Sequence, residues 1–362
     1  MAKFPLTEMA VKMFCPDNVV QLDDAGLPSI LVYIPAFKNS DVLTGGDDSV
    51  HPAFIVNGVQ IAGFYYSKYE NVVHNDKAYS LPAEDPQVKI TFETARECCE
   101  AKGYGWHLST AAEWAAIALW CKKNGFLPYG NNDNGKNTGE NEQKAIISNS
   151  EHSRTGTGTG PLTWSHDNSP SGIWDMNGNV WEWQGGLRLV RGELQILANN
   201  NAADPDNPMN NTSTCWKAIN AADGSLVDPE CSVNDTEATT TGSTVKIDSV
   251  NSALTYSTEL TKIVNTSSAC LFYKVTCDDT IGEATKALLR TLALLPEEGA
   301  TSETYGNAYM YCNNATGEAL MFRGGSFSNG DITGIFAINL SNGRTGRNEN
   351  MGFRSAYIPD IG

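Results

Sequence analysis

The chain has 362 residues, 41% of them apolar and 19% charged, which is enough for a buried core in one large or two medium domains. Its 25 Lys and Arg against 42 Asp and Glu leave a net charge of −17, and the basic residues are scattered, which argues against nucleic acid as a partner. No run approaches the roughly eighteen consecutive apolar residues of a membrane span, and Met1–Glu8 reads as no secretory signal.

In chain order, residues 1–28 read as an N-terminal arm of mixed, weakly periodic composition. Ile30-Leu31-Val32-Tyr33-Ile34-Pro35 reads as a buried strand ended by proline, and the aromatic run Gly63–Glu70 as a second strand. Two helices follow. The first runs from Phe92 to about Lys102, with Phe92, Ala95 and Cys99 at helical spacing and Gly103 as a stop. The second opens with a capping box, Thr110 as N-cap and Glu113 three residues on, and ends near Asn124-Gly125.

Residues 130–170 are rich in loop formers. The run Thr155-Gly156-Thr157-Gly158-Thr159-Gly160 lacks the lysine and the strand–loop–helix setting of a phosphate loop, so it reads as a flexible loop. Leu187–Val190 and Glu193–Leu197 alternate around Arg191-Gly192, a two-residue hairpin. Residues 199–245 read as long polar loops, and Glu283–Leu295 as an amphipathic helix stopped by Pro296. The nine cysteines (15, 98, 99, 121, 215, 231, 270, 277 and 312) include an adjacent pair. They are expected mostly reduced and buried, with one bridge inside 215–277 left open. The five histidines are dispersed, and no CxxC or HxxH spacing suggests zinc.

Four ordered motifs point to one family. Val32-Tyr33-Ile34-Pro35 with Phe64–Glu70, then His107-Leu108-Ser109-Thr110-Ala111-Ala112-Glu113-Trp114, are the first two. Gly172-Ile173-Trp174-Asp175-Met176-Asn177-Gly178-Asn179-Val180-Trp181-Glu182-Trp183 is the third, and Arg323-Gly324-Gly325-Ser326 with Gly352-Phe353-Arg354 closes the set. Together they resemble the formylglycine-generating-enzyme (sulfatase-modifying factor) family, whose fold is a variant of the C-type lectin fold. The resemblance implies an α+β domain over 29–357, with 187–320 as an unusually long insertion.

Sulfatase-activating members of that family use two cysteines just after Arg-Gly-Gly-Ser. The matching positions here are Asn329 and Gly334, so thiolate chemistry has no sulfur to act with. The segment Arg323–Arg354, RGGSFSNGDITGIFAINLSNGRTGRNENMGFR, resembles instead the variable region of target proteins of diversity-generating retroelements. In that pattern Ser328, Ile332, Ser341, Gly346 and Arg347 stand where Asn is usual. The apolar rib Ile335, Phe336, Ala337, Ile338 and Leu340 is kept.

The implied ligand-binding set is Ser326, Ser328, Asn329, Asp331, Ile332, Asn339, Ser341, Asn342, Arg344, Thr345, Gly346, Arg347, Asn348 and Asn350. Asn339, lying between Ile338 and Leu340, has a second reading as a group that satisfies the fold's own backbone. The signature loop implies a structural calcium ion held by the side chains of Asp175 and Glu182 and the carbonyls of Gly178 and Val180. The alternative is that Asp175 and Asn177 form Asx turns, with Trp181 and Trp183 as core. The resemblance implies a non-enzymatic binder of a protein or glycan receptor, at a phage tail-fibre tip or on a bacterial surface, displayed in several copies. The competing expectation is a formylglycine-generating-enzyme-like oxidoreductase acting on sulfatases.

Overall fold

Capping chemistry sets the two central helices. Thr110 accepts from the Glu113 amide at 3.1 Å while Glu113 accepts from the Thr110 amide at 3.0 Å, closing the box that starts the helix Ala111–Lys123. Asn124 and Gly125, the latter at φ +75°, end it. Nearly every residue from Ala111 to Leu119 is buried, so this helix runs through the core rather than along its surface. Thr91 caps the helix Phe92–Glu100, which buries Phe92, Ala95, Cys98 and Cys99.

The computed structural model describes residues 5–250 and 253–360, an α+β arrangement built on two principal sheets. The smaller sheet has the strand order Asn18–Leu22, Pro28–Pro35, Gly63–Ser67, Ser355–Tyr357, Trp106–Leu108. The larger holds twelve strands among the described residues, and its centre is the strand Trp181–Val190 beside Ala319–Gly324. The last strands tie the two together. Met351–Phe353 runs parallel to Trp181–Trp183, and Ser355–Tyr357 enters the smaller sheet, with only Arg354 between them.

Two expectations along the chain are corrected. Residues 18–22 are no loose arm: they pair antiparallel with 28–32, from Asn18↔Val32 to Leu22↔Pro28. The turn between them is held by Asp23 Oδ1, which accepts from the amides of Ala25 and Leu27 at 2.9 and 2.7 Å. Ahead of that strand lies a helix, Pro5–Phe14; residues 1–4 of the expected arm lie outside the described residues. The Thr-Gly run is a loop, as read, but its first half is packed inside. Thr155 and Thr157 are buried, and Thr157 donates to the carbonyls of Glu84 and Leu81. Small side chains let this backbone pack inside, and its polar groups are then met internally.

The hairpin forms as read: Val190 pairs with Glu193, and Arg191 and Gly192 take φ of +47° and +86°, the mirror-image turn that fits strand twist. Residues 187–320 extend the large sheet on both sides. On one side the strands Glu193–Ile196, Thr241–Val250 and Ala253–Glu259 follow; on the other stand Tyr309–Cys312 and Ser268–Leu271. The helix expected over 283–295 ends at Thr291, and Ala293 turns the chain at φ +50° so that Leu292–Leu295 pack into the core. All nine cysteines are free. Among the described residues no helix is long and apolar enough to cross a membrane.

Candidate functional site

Two inward arginines frame the segment 323–354. Arg323 is fully buried, and its guanidinium donates to the carbonyls of Leu292 and Ala293 at 3.1–3.2 Å, capping the chain after the helix Glu283–Thr291. Burial without a carboxylate partner pulls its pKa down to about 9. Arg354 donates from Nε to Glu182 at 2.7 Å and from Nη1 to the carbonyl of Lys68 at 3.1 Å. Burial works against its charge, but Glu182 and Glu70 hold its pKa above the usual range.

Between these clamps the chain makes a turn and then the rib strand Gly334–Asn342. Gly325 sits at φ +91°, and a Cβ there would meet the side chain of Thr333 at 2.4 Å, so the turn requires glycine. Ile335, Phe336, Ala337, Ile338 and Leu340 are all buried. Phe336 packs on Phe272 and Tyr305 at ring separations of 5.4 and 4.8 Å, and Trp114 donates from its indole nitrogen to the Ile335 carbonyl at 2.7 Å.

The polar positions between the ribs divide into two sets. Ser328, Asp331, Thr345, Arg347 and Asn348 are exposed, and Ile332, Ser341, Asn342 and Gly346 are half-buried. The others are used by the fold. Ser326 is fully buried, which removes it from any contact surface; its amide and hydroxyl donate to Asn329 Oδ1 at 3.0 and 2.8 Å, and Asn350 Nδ2 donates to its Oγ at 3.3 Å. Asn339 Oδ1 accepts from the Ser341 amide, the Ser341 hydroxyl and Asn342 Nδ2, which favours the reading that it serves the local backbone. Arg344 is likewise spent on the fold. It bonds Glu318 at 2.7 Å, pairs with Glu93, and donates to the Met209 carbonyl at 3.1 Å. Glu93 and Glu318 are residues the sequence did not connect to this segment, because they pair with Arg344 only after the helix and the insertion have packed around it.

Behind the turn, Asn132 Nδ2 donates to Thr333 Oγ1 at 3.0 Å, and Thr333 Oγ1 donates to Asn177 at 2.7 Å. A cavity of about 230 Å³ opens there, lined among others by Tyr129, Asn137, Asn307 and Asp331. Thus the signature loop supports the outer segment from below.

That loop is itself wholly buried. Glu182 is paired with Arg354; Asp175 Oδ2 accepts from the Gly158 amide at 2.7 Å; Glu70 accepts from Asn179 Nδ2 at 2.5 Å and from the Val180 amide at 3.3 Å. Burial pushes the carboxyl of Asp175 up to about 6 and that of Glu182 up to about 7, and burial with the charges of Asp175 and Glu182 raises that of Glu70 well above the usual carboxylate range. Asp175 Oδ1 and Glu182 Oε1 have no hydrogen-bond partner.

Calcium takes about six to eight oxygens and needs ionised carboxylates converging on it. Here the guanidinium of Arg354 already faces Glu182, and among the described residues no three Asp, Glu, His or Cys side chains gather as a metal site. Asp175, Glu182 and the Gly178 and Val180 backbone therefore do not fit the calcium cage expected of them.

Cys312 is buried on the strand Tyr309–Cys312, and burial raises its thiol far above the range of a reactive thiolate.

Residues 42–190 match the family model of the sulfatase-modifying factor enzyme 1-like domain. No curated protein matches the chain. Among solved structures, the Major Tropism Determinant P3c variant aligns over 94% of this chain and 71% of its own, at 12% identity and a TM-score of 0.32. Its U1 variant aligns over the same shares at 11% identity and 0.30. Treponema denticola variable protein 1 aligns over 94% of this chain and 99% of its own, at 10% identity and 0.30. Likeness at this level bears on neither ligand nor role.

Proposed function

With residues 42–190 matching the sulfatase-modifying factor enzyme 1-like domain, we propose that the chain is a non-enzymatic binding protein whose 326–350 surface contacts a receptor on a target cell. The observation that carries this reading is the split within the rib strand and its flanking turns. The apolar ribs are fully buried, while Ser328, Asp331, Thr345, Arg347 and Asn348 face solvent on a backbone fixed by Arg323 and Arg354. Side chains placed this way are free to change without disturbing the core. The lack of sulfur at Asn329 and Gly334, and the burial of Cys312, count against thiol oxidation of the sulfatase-activating kind.

The setting that suits such a surface is a phage tail-fibre tip or a bacterial surface, with the receptor a protein or a glycan. A patch of this size is smaller than the roughly 20–30 residues a side of a standard interface. Display in several copies would offset that, since avidity adds about 10²–10⁴-fold.

The test needs no ligand. In genes of close relatives, differences are expected to concentrate at codons for Ser328, Ile332, Ser341, Gly346 and Arg347, at adenine-derived positions, while 323–325, 335–338 and 351–354 stay constant. Invariance across 326–350, or differences spread evenly along the chain, would sink the reading.

A further inference from the structure

Strand register brings two tyrosines of the insertion beside the outward side chains of the rib strand. Trp183 pairs with Phe322, Phe322 with Asn339, Asn339 with Tyr311, and Tyr311 with Ala269. Directly paired residues point to one side of a sheet, so these five form a row across a single face; Tyr309 belongs to it by alternation, and Ser341 stands beside it, its hydroxyl donating to Asn339 Oδ1 at 2.6 Å. The row changes character along its length. Trp183 and Phe322 stack at 3.7 Å and are fully buried, whereas Asn339, Tyr311 and Ala269 are only partly covered.

The tyrosines are held in place but not used up. Met310 and Cys312, the alternate residues of their strand, are buried and fix it to the core. The rings of Tyr309 and Tyr311 lie 5.9 Å apart, and Tyr311 meets the buried Trp181 edge-on at 6.1 Å. Neither phenol hydroxyl has a hydrogen-bond partner among the described residues. Two rigid aromatic side chains with free polar tips thus stand next to Asn339 and Ser341.

We propose that Tyr309 and Tyr311 are the constant contacts of the binding face, supplied by the insertion, and that the partner they fit is a folded protein surface. The inference rests on the reading of 326–350 given above. Tyrosine offers large contact area for two side-chain torsions, while Ser, Asn and Gly adapt their hydrogen bonds around it. The distribution of charge favours protein over other partners. The centre of the face (Tyr309, Tyr311, Asn339, Ser341, Ala269 and Leu271) is uncharged, and Asp331, Arg347 and Glu349 stand in the turns on either side. An aromatic, neutral middle with a charged rim is the anatomy of a protein–protein interface.

The full chain displayed on yeast, with Ser328, Asp331, Ile332, Ser341, Thr345 and Arg347 randomised, provides the test. The library is sorted against lysozyme as protein probe and mannan as polysaccharide probe. We expect lysozyme binders, and in each enriched clone the pair Tyr309→Ser and Tyr311→Ser should weaken binding about tenfold or more at unchanged display level. If the double variant loses display, the single variants Tyr309→Ser and Tyr311→Phe carry the same comparison. Lysozyme binders indifferent to the tyrosines would overturn the inference and leave the proposed function standing. Binders to mannan alone would overturn the protein partner, and a library without binders would overturn both.

Discussion

The loop 175–182 and the segment 326–350 both carry Asn, Asp and Gly as their turn-forming residues, yet they end in opposite environments. Every residue of the loop is buried, and most of its polar side-chain atoms are met, among others by Arg354, Gly158, Asn131 and Pro128, while Asp175 Oδ1 and Glu182 Oε1 are not. In the outer segment only part of the polar set is taken inward, and the rest faces water. Polarity alone therefore says nothing about exposure. What separates the two is how many backbone and charged partners the surrounding fold brings within reach, and for the loop it brings nearly enough to meet every group.

The comparison can be broken most directly at its shared core. Phe336→Ala should destabilise by about 3–5 kcal/mol in denaturant unfolding, because the cavity opens against Phe272 and Tyr305. A near-neutral result would mean that the ribs do not carry the outer segment. Arg354→Leu should cost about as much, roughly 3–5 kcal/mol, since it leaves Glu182 buried without its counter-charge. Were the loop a calcium cage, added calcium would rescue that variant and EDTA would lower the wild-type melting temperature; we expect neither.

Protonation gives an intermediate effect. His51 is buried, with Nε2 2.9 Å from the Thr291 carbonyl, and burial lowers its pKa to about 4. The unfolded chain then takes up the proton first, so this residue's contribution to stability is lost as the pH falls from about 6.5 toward 4, to a limit of about 3 kcal/mol. His166, lowered to about 4 by burial, acts in the same direction. Asp175 and Glu182 run the other way: held at about 6 and about 7, they cost stability at neutral pH and recover it on acidification. The gap in unfolding free energy between wild type and His51→Gln should consequently shrink as the pH falls from 7.5 to 4.5. A gap independent of pH would place His51 in a solvated setting.

Smaller effects sharpen the division inside the outer segment. Arg344→Ala should cost about 1–2 kcal/mol through the loss of its bonds to Glu318, Glu93 and Met209. Ser328→Ala and Arg347→Ala should each stay within about 0.5 kcal/mol of wild type by the same measurement. If Arg344 proved as silent as Arg347, the line drawn between structural and displayed side chains would be in the wrong place.

Local chemistry was the legible part of the sequence. The capping box at Thr110 and Glu113 and the Arg191-Gly192 turn depend on residues within four positions of one another, and the structure has them as read; the helix read from Phe92 to about Lys102 forms as well but ends at Glu100. The inward turn of Ser326 and Arg344 was not legible. Arg344 depends on Glu318, Glu93 and Met209, which reach it from 26 to 251 residues away, and Ser326 on Asn329 and on Asn350, 24 residues on. The strand at 18–22 was missed for a different reason: its half-buried pattern is weak, and only the Asp23 turn that folds it onto 28–32 makes it pair. Nor could the sequence reveal that residues 309–312 lie beside the ribs, because parallel pairing leaves no short turn to read.

That parallel neighbour has one more consequence. The rib strand is bordered on one side by Ala319–Gly324 and, over Ile338–Leu340, on the other by Tyr309–Cys312, so both its margins are occupied at that stretch. A strand on a sheet's rim, with open amides and carbonyls, is a template for fibril growth whenever its hydrophilic guard residues are swapped for oily ones. Enclosed as it is, this strand can accept greasy or charged replacements on its outward side without becoming a seed for clumping.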